Sequence, residues 1–250
     1  MRLPVIQGLI KRRILLNFRV APEALKNILP GPFRPKLVRG QAIAGICLIR
    51  LENIRPKGLP GFVGLHSENA AHRIAVEWND DSGALREGVY IPRRDTDSNL
   101  NLALGGRIFP GETHRARFEV HESGPQIDFT LASQDGVTRV HLKGAETTVW
   151  PAGSVFESLD EASKFFATGS VGFSVTSDPA RLDGVTLKTQ TWAIGALEIS
   201  AASASFYEDP ARFPSGSFTF DNALIMRNIE HEWHATGDMA CTPGCAGAPQ

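Results

Sequence analysis

Residues 13–20 read RILLNFRV, with Ile14, Leu16, Phe18 and Val20 on one parity and Leu15, Asn17 and Arg19 on the other. Side chains of an extended chain alternate between two faces, so this period of two asks for a strand with one face in a core. The pattern returns at 67–78, where Ile74, Val76 and Trp78 alternate with Arg73, Ala75 and Glu77, and at 113–121, where Ala116, Phe118 and Val120 alternate with Arg115, Arg117 and Glu119. Residues 41–52 are apolar on both faces and read as a central strand. Further strands are expected at 88–94, 126–133, 137–149, 170–176, 185–206 and 217–227. The turn-like 79–83 between the strands at 67–78 and 88–94 predicts an antiparallel pair. Short helices are expected at 22–29, with Pro22 in the first turn, near 98–108 behind the N-caps offered by Asp95, Thr96, Asp97 and Ser98, and at 158–167. The fold class is therefore mainly β (α+β): a single antiparallel β-barrel domain over 1–235 with a few short flanking helices, followed by a flexible tail at 236–250.

Composition excludes several classes. Lys and Arg total 26 against 27 Asp and Glu, for a net charge of −1, so no basic domain or stripe marks a nucleic-acid binder. The longest apolar run, 42–49, is broken by Gly45 and falls far short of the roughly 20 residues a membrane span needs. In MRLPVIQGLIKRR the charges follow the apolar piece, which is not the order of a secretory signal. Three cysteines are too few for a disulfide scaffold, and Cys47 reads as a small core residue. A cytoplasmic protein with no membrane and no nucleic-acid partner is expected.

The candidate chemistry lies in the middle of the chain. Extending the parity of Ile74 backwards puts Glu68, Ala70 and His72 on the apolar-facing side, where a carboxylate and an imidazole must find partners or line a cavity. Such a pair suits general acid–base work, and a satisfied buried network is the rival reading. Arg93 and Arg94 point to opposite faces of their strand, so at most one enters a cavity, and the pattern does not say which. Glu112 and His114 share a parity after the turn at Phe109-Pro110-Gly111, where a carboxylate could abstract a proton or merely sit in solvent. Arg19 could clamp a substrate carboxylate or pair with a structural acid. At the C-terminus His231, His234, Cys241 and Cys245 fall within reach of a zinc pattern, although the spacing is loose and the tail reads as unstructured.

Leu16-Asn17-Phe18-Arg19-Val20 followed by Pro22-Glu23-Ala24-Leu25 and Leu29-Pro30, then residues 45–50, Arg55-Pro56-Lys57-Gly58, Ser67-Glu68-Asn69, Gly88-Val89-Tyr90-Ile91 and Gly106-Arg107-Ile108-Phe109-Pro110-Gly111, stand in an order that resembles the acetoacetate decarboxylase-like superfamily. More closely, the order resembles the YqjF-like family of unknown function within it, over roughly residues 10–150. The resemblance implies a closed β-barrel around an interior cavity, a carboxylate-binding arginine at Arg19 and a glutamate at Glu68. It also implies possible homo-oligomerisation. In the decarboxylases a lysine forms a Schiff base with a keto acid, but the corresponding turn reads Phe109-Pro110-Gly111-Glu112 here, and no lysine occurs between Lys57 and Lys143. An imine needs a primary amine, so Schiff-base decarboxylation is not expected.

The expected function is an enclosed pocket for a small carboxylate or carbonyl ligand, bound through Arg19 and one of Arg93 and Arg94, with no cofactor. If catalytic, it would be a lyase, isomerase or hydratase step run by Glu68, His72, Glu112 and His114. The alternatives are a non-catalytic small-ligand binder and a metal-binding protein built on the C-terminal His/Cys cluster.

Overall fold

The computed structural model describes residues 4–103, 111–178 and 180–241. Its strands are β1 (Ile6–Val20), β2 (Arg34–Pro35), β3 (Leu37–Val38), β4 (Gln41–Pro56), β5 (Leu65–Asn79), β6 (Leu85–Thr96), β7 (Thr113–Ser123), β8 (Gln126–Ser133), β9 (Arg139–Thr147), β10 (Val171–Val175), β11 (Arg181–Thr189), β12 (Gly195–Ala204) and β13 (Phe218–Ala240). Three helices accompany them: α1 (Asn99–Ala103), α2 (Leu159–Ala167) and α3 (Ser205–Glu208).

The protein is mostly β, and the strands form one sheet in which β6 pairs with β5, β7 and β10, and β13 pairs with β1, β11 and β12. The expected hairpin of β5 and β6 is present, with Ala70 opposite Asp95 and Val76 opposite Gly88. The sheet is mixed rather than wholly antiparallel, because β6 runs parallel to both β7 and β10. Parallel neighbours need a long crossover, which the segment between Thr96 and Thr113 provides.

Several elements differ from the sequence expectation. The helix at 22–29 is one 3₁₀ turn at Pro22–Leu25. The helix near 98–108 is α1, and its continuation at 104–110 lies outside the described residues. β13 runs through Thr236 to Ala240, paired with β11, so the chain is still strand where a tail was expected. Helix α2 follows its signals: the Ser158 hydroxyl accepts from the Glu161 amide, Asp160 and Glu161 sit in the first turn, and Ala162 and Phe166 are buried.

The two faces of β1, β4 and β5 bury different cores. Ile14, Leu16, Ile46, Leu48, Ile74 and Val76 point into a large core that includes Phe129, Phe206, Tyr207 and Phe213. Leu15, Ile43, Cys47, Ala71 and Ala75 point the other way, toward Phe156 and Phe166 beneath α2.

Candidate functional site

Glu68 and His72 lie on the first of these faces, and the face is filled. Glu68 accepts from Arg12 Nη2 and from Arg50 Nε, each at 2.6 Å. Arg12 is fully buried, lies over the Phe129 ring and also donates to Glu122 at 2.6 Å. Glu122 in turn accepts from Arg227. Glu68 is thus the shared acid of an ion-pair network. His72 is fully buried against Phe206, ring centroids 4.5 Å apart, and neither ring nitrogen has a hydrogen-bond partner among the described residues. Burial, with Arg93 and Arg212 nearby, lowers its pKa to about 3, so the ring is neutral at physiological pH.

The opposite face opens onto a cavity of about 100 Å³ between β4, β5 and β6 on one side and β10, β11 and β13 on the other. Three arginines line it: Arg13 from β1, Arg73 from β5 and Arg94 from β6. Arg13 Nε donates to Cys47 Sγ at 3.0 Å, and its Nη1 has no hydrogen-bond partner among the described residues. Arg73 donates from Nη2 to Asn17 Oδ1, stacks 4.9 Å from the centre of the Phe166 ring, and leaves Nε without a partner among the described residues. Among the described residues Arg94 donates only to the Ser174 hydroxyl, from Nε at 3.2 Å and Nη2 at 3.1 Å. Burial lowers both Arg73 and Arg94 to about 10, and Cys47 acts in the opposite direction on both. Arg73 and Arg94 therefore stay cationic at neutral pH. None of the three arginines forms an ion pair with a carboxylate among the described residues, whereas the buried Arg12 and Arg93 each have two. The rest of the wall is largely apolar, with Ile49, Leu51, Val185, Leu187 and Trp233, but it also carries Asn69, Asn101, Thr113, Ser170 and Asp95, whose carboxylate is paired with Arg93. Charge withdrawn from water without a counter-charge is costly, so the guanidiniums on this cavity could accept an anion.

A bulge selects Arg94. His72 pairs with Arg93 and Ile74 with Tyr90, so Ile91 and Pro92 together face the single residue Arg73. That extra residue reverses the parity of β6 and places Arg93 beside His72 and Arg94 beside Ala71. Pro92 has no N–H for the ladder, which suits it to the bulge. Arg93 then pairs with Asp95 at 2.7 Å and with Asp135 at 2.9 Å.

The other sequence candidates stand apart from the cavity. Arg19 pairs with Asp221 at 3.2 Å, six residues and about 20 Å along β1 from Arg13. His114 lies 3.3 Å from Asp135, and Glu112 is exposed. Gly111, at the position of the lysine turn, has φ +89°, and a Cβ there would lie 2.4 Å from Ser174 Cβ. His231 and His234 are three residues apart on β13 and so face opposite sides of the strand. His231 packs 4.2 Å from Trp233, His234 lies 2.9 Å from Glu232, and Cys245 is outside the described residues. No group of three or more metal-ligating side chains occurs among the described residues. Sequence reasoning missed Arg13 and Arg73. The available signal was a charged residue on the second parity of two otherwise apolar strands.

The fold is similar to that of acetoacetate decarboxylase-like proteins. An acetoacetate decarboxylase-like enzyme from Sphingomonas wittichii RW1 is 16% identical, with 95% of this chain and 92% of that one covered at a TM-score of 0.59. The acetoacetate decarboxylase of Legionella pneumophila is 13% identical over 93% and 87%, at 0.57. The enduracididine biosynthesis enzyme MppR, complexed with pyruvate, is 12% identical over 96% and 91%, at 0.55. These likenesses concern the fold. No curated protein matches the sequence. Residues 10–210 match the family model of an uncharacterized conserved protein, COG2071 (DUF2071), and the chain belongs to that family.

Proposed function

We propose that this protein binds a small carboxylic acid in the cavity on the Arg13–Arg73–Arg94 face, with the acid group at the guanidiniums and its carbon body against Ile49, Leu187 and Trp233. The observation that carries the reading is the convergence of three arginines, Arg73 buried and Arg13 and Arg94 half-buried, on one largely apolar space without a carboxylate partner of their own among the described residues. A wider cleft of about 360 Å³ holds Arg55 and Lys188 together with Glu230 and Glu232, so its charges compensate one another and call for no anion. The structural neighbour complexed with pyruvate is a relative in fold that takes a small keto acid. Closure of the sheet into a barrel belongs to the same reading, supported by the pairing of β11 with both β10 and β13 and of β6 with both β5 and β7. Because Glu68, His72, Glu112 and His114 do not line the cavity, ligand binding is favoured over the acid–base lyase or isomerase chemistry those residues would supply.

A thermal-shift series of short carboxylates and 2-oxo acids tests this. A ligand at 100 times its Kd stabilises the native state by about 2.7 kcal/mol. Wild type should show a shift of several degrees that falls by more than half in Arg94→Met. If no small acid moves the wild-type transition, the carboxylate assignment is wrong.

A further inference from the structure

Cys47 sits in the middle of β4, opposite Leu15 on one side and Ala71 on the other. It is 4% exposed, and what it faces is the cavity. Its sulfur accepts the Arg13 Nε–H at 3.0 Å. Arg73, likewise 4% exposed, lines the same space with its Nε unpartnered among the described residues, and Arg94 completes the cationic wall. A cysteine that served only to fill volume would need apolar neighbours and no guanidinium. Thiols beside cations and open to a cavity are those that react.

We infer that Cys47 is a nucleophile, and that its substrates are small carboxylic acids carrying an electrophilic carbon beside the carboxyl group. The inference rests on the carboxylate reading above. The arginines hold the carboxylate and present the neighbouring carbon to the sulfur. A carbon–sulfur bond forms, the bond from that carbon to its leaving group breaks with the electron pair going to the leaving group, and the thiol proton passes to solvent.

Iodoacetate and iodoacetamide deliver the same iodomethylene carbon with and without the negative charge, so their rates on the full-length protein separate recognition from reactivity. Peptide mass spectrometry distinguishes Cys47 from Cys241 and Cys245. Cys47 should react about tenfold faster with iodoacetate than with iodoacetamide, a ratio within the reach of one charge-assisted contact. Cys241 and Cys245 should show no such preference. The ratio should collapse in Arg94→Met and survive in Arg94→Lys, with circular dichroism confirming that both variants are folded. Equal rates at Cys47, or a faster reaction with iodoacetamide, would overturn the inference. Should an acid raise the melting temperature while Cys47 resists both reagents, the binding reading stands and the nucleophile falls. Should Cys47 react equally with both while no acid shifts the melting temperature, both fall.

Discussion

Among the described residues Arg94 donates to one hydroxyl and to no carboxylate, so its replacement removes a charge without stranding an acid. Apo Arg94→Met is therefore expected to melt at or above the wild-type temperature even as its ligand response is lost. A clear drop in the apo melting temperature would mean that Arg94 is structurally compensated after all. Glu68 is the opposite case. Its removal leaves the fully buried Arg12 with Glu122 alone and strips Arg50 of its nearest partner, and breaking a buried pair costs about 3 kcal/mol or more. Glu68→Ala should move the urea midpoint down by a corresponding amount without changing ligand affinity. Unchanged stability would refute the network role. The parity that joined Glu68 and His72 to Ile74 was legible in the sequence. What parity reports is a shared face, and it is silent on whether that face is hollow.

Two local backbone features decide what the strands present. The bulge at Ile91 and Pro92 hands Arg93 to the acids Asp95 and Asp135 and leaves Arg94 for the cavity. The sequence contained Pro92, which is suited to a bulge, but strict alternation offered no reason to insert the extra residue on one side of Arg73 rather than elsewhere. Gly111 is the second feature. At φ +89° and against Ser174 it admits no side chain, so Gly111→Ala should lower stability by about 2 kcal/mol or more, read from denaturant unfolding. For the same reason a lysine at 111 is sterically barred, and one at exposed position 112 would stand in water. Glu112→Lys with a 2-oxo acid and borohydride should give no mass increase for a trapped imine. A trapped adduct would show that position 112 reaches a keto-acid site.

Across the molecule, two buried histidines couple folding to pH. Burial lowers His72 to about 3 and His231 to about 4 from an ordinary value of 6.5. In the unfolded chain both are protonated below about 6.5, whereas in the native state they resist protonation until the lowered values are reached. The unfolded state thus binds more protons across that window, so stability rises with pH through it. It is complete above about 6.5 and declines as pH falls, at up to about 1.4 kcal/mol per pH unit for each histidine. Denaturant unfolding at neutral pH and again in the acid half of this window should show the loss, and His72→Leu should make the slope shallower. An identical slope in the variant would remove His72 from the acid response.

The sequence by itself determined the elements and their two-sided character: the alternation of β1, β5 and β7, the two apolar faces of β4, the helix α2, the family likeness and the loss of the lysine. These are readable because alternation, capping and turn chemistry are local properties of the backbone. Tertiary structure decided which face is full and which is open. Phe206, Tyr207 and Phe213, more than 100 residues beyond β5, fill the side that holds Glu68 and His72, while β10, β11 and β13 stand off from the other side and leave room beside Arg13, Arg73 and Arg94. Whether an arginine is paired depends on an acid that the fold delivers from a distant strand, and no spacing along the chain encodes that meeting.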